Sequence, residues 1–140
     1  VKVFTIGVNN KSAKQFFTLL SDNKILKIID IRLNNTTQLC GFSKMNDLKF
    51  FLKRILNIEY EYISDFAPTK DIMVNYRTNK EWDKFKIDYL ELLENRKIKE
   101  KYRNYDFKNT CFLCSEDEAD GCHRKILSEY LDNSAEIVHL

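Results

Sequence analysis

A chain of 140 residues is the size of one domain, long enough to bury roughly two thirds of the surface that its unfolded form exposes. With 44% hydrophobic and 31% charged residues, 10 Phe, 7 Tyr, 3 Gly and 1 Pro, the composition describes a packed globule and excludes a fibrous or disordered chain. A net charge of +2 excludes a global field that drives avid binding to DNA or anionic lipid, so any nucleic-acid contact needs a local patch.

In chain order, residues 1–6 read as a strand that ends at Gly7. This apolar opening is too short for a secretory core, and no stretch approaches the ~18 apolar residues of a membrane span. Ala13, Phe16, Phe17 and Leu20 share one helical face, and Ser12 with Gln15 forms a capping box ahead of them. Residues 25–31 are a nearly unbroken apolar run, as expected of a strand buried on both faces of a parallel sheet, with Asp30 the one carboxylate inside it. Leu48, Leu52, Ile55 and Leu56 mark a second helix, and residues 59–63 a third, alternating strand. Residues 64–79 contain polar turns and no clear period, which fits a lid or a long connection. Thr78 and Glu81 offer a capping box for a long helix with Trp82, Phe85, Tyr89, Leu92 and Leu93 inward. Residues 109–114 form a fourth strand, residues 120–131 a fourth helix burying Ile126, Leu127, Tyr130 and Leu131, and residues 136–140 a fifth strand.

This strict βα alternation predicts a single α/β domain over residues 1–140, with a mostly parallel five-stranded sheet and helices on both faces. In such sheets ligands bind beyond the carboxyl ends of the strands. The strand assignments deliver Thr5 and Gly7, Asp30 and Arg32, Ser64 and Asp65, Cys114 and Glu116, and His139 to that rim. Asp30 and Arg32, two apart, face the same way and either orient a substrate or pair with each other.

Cys40, Cys111, Cys114 and Cys122 are not scattered like the staples of a secreted domain, and reduced thiols in a cytoplasm are the expectation. With Asp120 as N-cap, Cys122 falls in the first turn of the last helix, where the helix dipole and Arg124 favour a thiolate. A packing role for Cys114 and Cys122 fits equally, except that His123 and Arg124 are unneeded neighbours for a core cysteine. Zinc is the minor alternative. Cys111 and Cys114 point to opposite faces of a strand, and Cys114, Cys122, His123 and His139 suffer from neighbouring helical ligands that diverge by roughly 100°. No Walker, dinucleotide, nucleophile-elbow or His-Glu-x-x-His pattern occurs. Acidic residues at 116, 117, 118 and 120 discourage a bare phosphate unless cations offset them. Residues 95–108 interleave six cations with Tyr102, Tyr105 and Phe107, which fits either a solvated helix end or nucleic-acid contacts through Arg96, Lys99 and Arg103.

Thr5-Ile6-Gly7, Asp30-Ile31-Arg32, Leu113-Cys114-Ser115-Glu116, Cys122-His123-Arg124 and Val138-His139, in this order, resemble the domain-of-unknown-function 488 family, as does Phe42-Ser43-Lys44 with Leu48. The resemblance implies the same α/β domain and a shared site at Asp30, Arg32, Cys114, Glu116, Cys122, His123 and Arg124, with no reaction attached. The chain departs from the family pattern at Val8-Asn9, where members commonly have His-Ser, and it lacks the proline after Asp-x-Arg and the Leu-Gly-Gly near the third strand. Two functions remain open. One is an enzyme acting on a nucleotide-like or small anionic substrate, with Cys122 or Cys114 as nucleophile, Asp30 or His123 as acid or base, and Arg32 and Arg124 as clamps. The other is a binding module in which these residues are structural.

Overall fold

The computed structural model describes residues 2–36 and 41–140; Val1, at the start of the expected first strand, and Cys40 lie outside them. Five strands, β1 (Lys2–Gly7), β2 (Lys27–Asp30), β3 (Glu59–Tyr62), β4 (Thr110–Cys114) and β5 (Glu136–His139), form one sheet in the order β3-β2-β4-β1-β5. Every pairing is parallel. The result is a single-domain α/β fold, as the alternation predicts.

The two faces are filled separately, because successive strand residues point to opposite sides. Phe4, Ile6, Ile28, Cys111 and Leu113 pack with Phe16 and Leu20 of α1 (Ala13–Asp22) and Leu48 of α2 (Met45–Phe51). Val3, Ile29, Phe112 and Cys114 pack with Phe85, Tyr89 and Leu93 of α4 (Trp82–Asn95), Ile98 of α5 (Ile98–Lys101), and Ile126 and Leu127 of α6 (His123–Leu131). Chain segments leaving β1 and β2 therefore cross one face, and those leaving β3 and β4 the other. Between β2 and β4, and between β4 and β1, neighbouring strands hand their loops in opposite directions, which opens a crevice at the carboxyl rim. No helix among the described residues is long and apolar enough to cross a membrane.

Four local expectations need correction. Residues 64–79 contain a short 3-10 turn (Ser64–Phe66) and then α3 (Lys70–Asn79), capped by the Thr69 hydroxyl accepting from the Ile72 amide. Thr78 lies inside α3, so it caps nothing, and Glu81 at the start of α4 makes no side-chain cap. Ile55 is 56% exposed because a π turn (Leu52–Leu56) follows α2 and turns the face away. The last helix begins at His123 with Cys122 as N-cap, two residues later than an Asp120 cap implies. The Ser12–Gln15 capping box is present with both reciprocal bonds.

Candidate functional site

Asp30 closes β2 and is spent on its surroundings. Its Oδ1 accepts from the Arg32 amide at 3.1 Å and from Nε at 2.9 Å, while Oδ2 accepts from Nη2 at 2.8 Å, Asn35 Nδ2 at 3.4 Å and the Tyr60 hydroxyl at 2.5 Å. Both partners are buried, Asp30 to 0% and Arg32 to 1% exposure, so this is an interior bidentate ion pair. Burial and the neighbouring Asp30 charge push the Tyr60 hydroxyl well above its ordinary range, which keeps it a donor. Asp30 thus pairs with Arg32, one of the two roles its spacing allows. Arg32 keeps something in reserve: its Nη1 is buried and has no hydrogen-bond partner among the described residues.

Cys114 ends β4 directly beside Gly7 of β1. The chain then loops through Gly121, whose φ of +82° is a left-handed turn that favours glycine, and re-enters at Cys122 with extended backbone. That extended N-cap is why Cys122 and His123 converge instead of diverging as two helical neighbours do. Cys122 Sγ lies 2.8 Å from Cys114 Sγ and donates to it. His123 Nε2 lies 2.8 Å from the Ile31 carbonyl oxygen, an atom that can only accept, so the ring proton sits there and Nδ1 carries a lone pair. Nδ1 is 3.5 Å from Cys114 Sγ. The Tyr89 ring stands edge-on to the imidazole at 5.5 Å, and its hydroxyl donates to the Phe66 carbonyl at 2.6 Å.

The two thiols are driven apart in acidity. Burial works against a charge on Cys114, but the Cys122 thiol, the Arg124 charge and the Glu116 and Ser115 amides outweigh it and hold Cys114 below its ordinary thiol range. Burial, reinforced by the bond to Cys114 and by its charge, pushes Cys122 far up. The more acidic thiol is therefore the one at the strand end, not the one at the helix start favoured by a dipole argument. Cys111 lies on the opposite face in an apolar setting, and burial drives its thiol up.

Arg124, fully buried, acts as a strut. Nε donates to Thr5 Oγ1 at 3.3 Å, Nη1 to the Glu116 carbonyl and Nη2 to the Asp117 carbonyl at 2.8 Å. These bonds tie the loop after β4 down onto β1, and only glycine fits at position 7 beneath it: a Cβ there meets the Glu116 oxygen at 1.6 Å. Of the two arginines expected as clamps, Arg124 is occupied by protein acceptors and Arg32 retains an unpartnered group among the described residues.

Cys114, Cys122, His123, Arg32 and Glu116 all border one cavity of about 490 Å³. Its outer wall comes from α3, through Lys70, Tyr76 and Arg77. Sequence patterning missed that wall because α3 buries no side chain fully and so shows no strong apolar stripe; the Thr69 cap with Asp71 in the first turn was the available signal. His139 stands elsewhere, its Nδ1 2.6 Å from Thr5 Oγ1. Two members of the acidic run are paired, Asp117 with Lys11 and Asp120 with Lys125, each at 2.7 Å. In the basic segment, Arg96 donates to the carbonyls of Asp65 and Ala67 at 2.7 and 2.6 Å, and Lys99 sits over the Tyr130 ring at 4.6 Å. Arg103 is exposed, whereas Tyr102, Tyr105 and Phe107 pack against the core.

Residues 12–131 match the model of the family described as "Domain of unknown function DUF488". No curated protein and no solved structure matches the chain.

Proposed function

We propose that this chain, which belongs to the DUF488 family, is an enzyme that acts on a small anionic molecule, nucleotide-like or smaller, held in the strand-end cavity with its anionic group at Arg32. The observation that carries this reading is the buried Arg32 Nη1, without a partner among the described residues, on a residue that borders the same cavity as the sulfur and imidazole groups. A buried donor left unmade costs about 1–3 kcal/mol, more when charged, and an arriving carboxylate or phosphate oxygen recovers that cost as a charge-assisted bond. Lys70 and Arg77 add positive charge to the wall, and pairing of Asp117 and Asp120 reduces the opposing field. The volume suits a small molecule and not a polymer. Arg96 supports a neighbouring turn, which favours a cavity ligand over a surface one.

In this reading the reacting part of the substrate lies against Cys114, Cys122 and His123, which border the cavity together. The three described cysteines are free thiols, in keeping with a reducing cytoplasm as the place of work.

The test is a thermal-shift and calorimetric panel of orthophosphate, AMP and a small dicarboxylate against the wild type and Arg32→Lys, which keeps a charge for Asp30 but loses the planar fork. At least one anion binds the wild type and binds Arg32→Lys at least tenfold more weakly. Absence of protection by every anion, or equal affinity in the variant, refutes the reading.

A further inference from the structure

We infer that Cys114, Cys122 and His123 form a binding site for one zinc-class metal ion, with a fourth coordination position open to the cavity. This deepens the preceding reading and rests on it only in taking the cavity as the place of chemistry.

Three independent features of the cluster carry the inference. The ligand atoms of these three buried residues all lie within 4.8 Å of one another. Two thiols and one imidazole are a donor set that selects zinc and similar borderline-soft ions over magnesium or calcium. The imidazole is already in the required tautomer: its Nε2 proton is committed to the Ile31 carbonyl, so Nδ1 offers its lone pair toward the sulfurs. A backbone carbonyl holding the distal ring nitrogen is the usual outer support of a metal-bound histidine.

The spacing can be checked against coordination geometry. Bonds of about 2.3 Å to sulfur and about 2.0 Å to nitrogen at a tetrahedral angle place sulfur and nitrogen about 3.5 Å apart. The Cys114 Sγ to His123 Nδ1 distance is 3.5 Å. The same geometry places two sulfurs about 3.8 Å apart, against 2.8 Å between Cys114 and Cys122 here. Loading the site therefore opens the sulfur pair by about 1 Å as metal takes the place of the shared thiol proton. In the balanced step, one metal dication forms two bonds to sulfur and one to nitrogen, the thiol protons leave to solvent, and no atom changes oxidation state. With three protein ligands and a cavity beside them, the fourth position falls to water or to a substrate atom, the arrangement of a catalytic rather than a closed structural site.

The feature that hid the site from the sequence is the extended backbone at Cys122. Residues 122 and 123 diverge on a continuous helix, but as N-cap and first helical residue they point into one space.

The experiment uses the purified full chain, stripped with a chelator and titrated with zinc alone and with cobalt(II) alone. Elemental analysis gives one equivalent of zinc per chain, and cobalt gives a thiolate charge-transfer band in the near ultraviolet. Cys122→Ser and His123→Gln each weaken zinc binding at least 100-fold, while Cys111→Ala, on the other face of the sheet, binds as the wild type does. Because a ligand variant can fail to fold, thiol alkylation of the unaltered chain is followed by mass spectrometry: zinc slows modification of Cys114 and Cys122 at least tenfold and leaves Cys111 unchanged. Absence of stoichiometric zinc and of the charge-transfer band in the wild type overturns the inference, as does unaltered alkylation of Cys114 and Cys122 in zinc. Anion protection without zinc binding removes the metal site alone; zinc binding without anion protection removes the substrate reading alone.

Discussion

Replacement of Asp30 by alanine strikes a fully buried ion pair and is a severe perturbation. The carboxylate accepts from the Arg32 amide, Nε and Nη2, from Asn35 and from Tyr60, in a setting where Asp30 and Arg32 are essentially sealed from water. Removing one member of a buried ion pair leaves the other charge uncompensated, which costs about 3–5 kcal/mol. An independent route gives the same range: two bonds from the guanidinium to a charged acceptor, at about 1.5–3 kcal/mol each, sum to about 3–6 kcal/mol. Against a total stability of about 5–15 kcal/mol, the loss lowers Tm by about 10 °C or more for a chain of this length. Urea unfolding followed by circular dichroism reads the change as a fall in midpoint at constant slope. Asp30→Leu combined with Arg32→Met removes both charges and is more stable than Asp30→Ala, because a buried pair exchanged for apolar packing is nearly neutral. An Asp30→Ala protein within about 1 kcal/mol of the wild type, or a double variant no more stable than the single one, refutes this account of the pair.

Two further outcomes stem from the strut at Arg124. Gly7→Ala drives a methyl group into the Glu116 carbonyl and within 2.9 Å of Arg124 Nη1, so the loop after β4 must lift and that bond must break. Overpacking and one lost charged bond together cost about 3–5 kcal/mol, measured as a urea midpoint, and an unchanged midpoint shows that the loop yields freely. His139 supplies a pH dependence. Thr5 Oγ1 accepts from Arg124 and shares a hydrogen bond with His139 Nδ1, while partial burial and the charges of Arg124 and Lys125 hold the imidazole below its ordinary 6.5, against smaller opposing effects of Glu129 and Asp120. The unfolded chain then binds more protons than the folded one between the lowered value and 6.5, so this contribution is complete above 6.5 and is lost as pH falls through that window. The difference in urea midpoint between wild type and His139→Gln shrinks on acidification below 6.5; a difference that stays constant with pH refutes it.

The features legible in the sequence were local or periodic. The unbroken apolar run before Asp30 announces a doubly covered parallel strand, and Ser12 with Gln15 announces a helix start, because both signals depend only on neighbours in the chain. The rim positions of Asp30, Arg32, Cys114 and Glu116 come from strand direction alone. Other features depend on contacts that no window of residues contains. Ile55 loses its inward position to one π turn, which adds a residue to the helical repeat and rotates the side chains after it. Thr78 and Glu81 have the right spacing for a cap, but α3 runs through Thr78 and ends at Lys80 in a left-handed conformation. The aromatic residues among the cations at residues 95–108 look like stacking platforms in one dimension; in three they cover the sheet, with Tyr105 receiving Lys27 and donating to Glu61.

The same distinction separates the rigid from the adjustable parts of the site. His123 is held by the Ile31 carbonyl, Ile31 by the Leu113 carbonyl through its own amide, and the loop after Cys114 by Arg124, so the cluster is referenced to β2, β4 and α6. Groups anchored to strands and helix starts hold their geometry better than groups on free loops, which is the condition for a site formed before its ligand arrives. The facing wall is different in kind. No residue of α3 is fully buried, and its inward contacts come from half-buried Ile72, Met73 and Tyr76. Segments with few buried contacts open at lower free energy than the core they cover. Lys70, Tyr76 and Arg77 are therefore the cavity-lining groups expected to shift most readily, while the sulfur, imidazole and Arg32 groups are held by the core. On the proposed reading, specificity for the body of a substrate belongs to that wall, and recognition of its charge belongs to Arg32 at the β2 end of the floor.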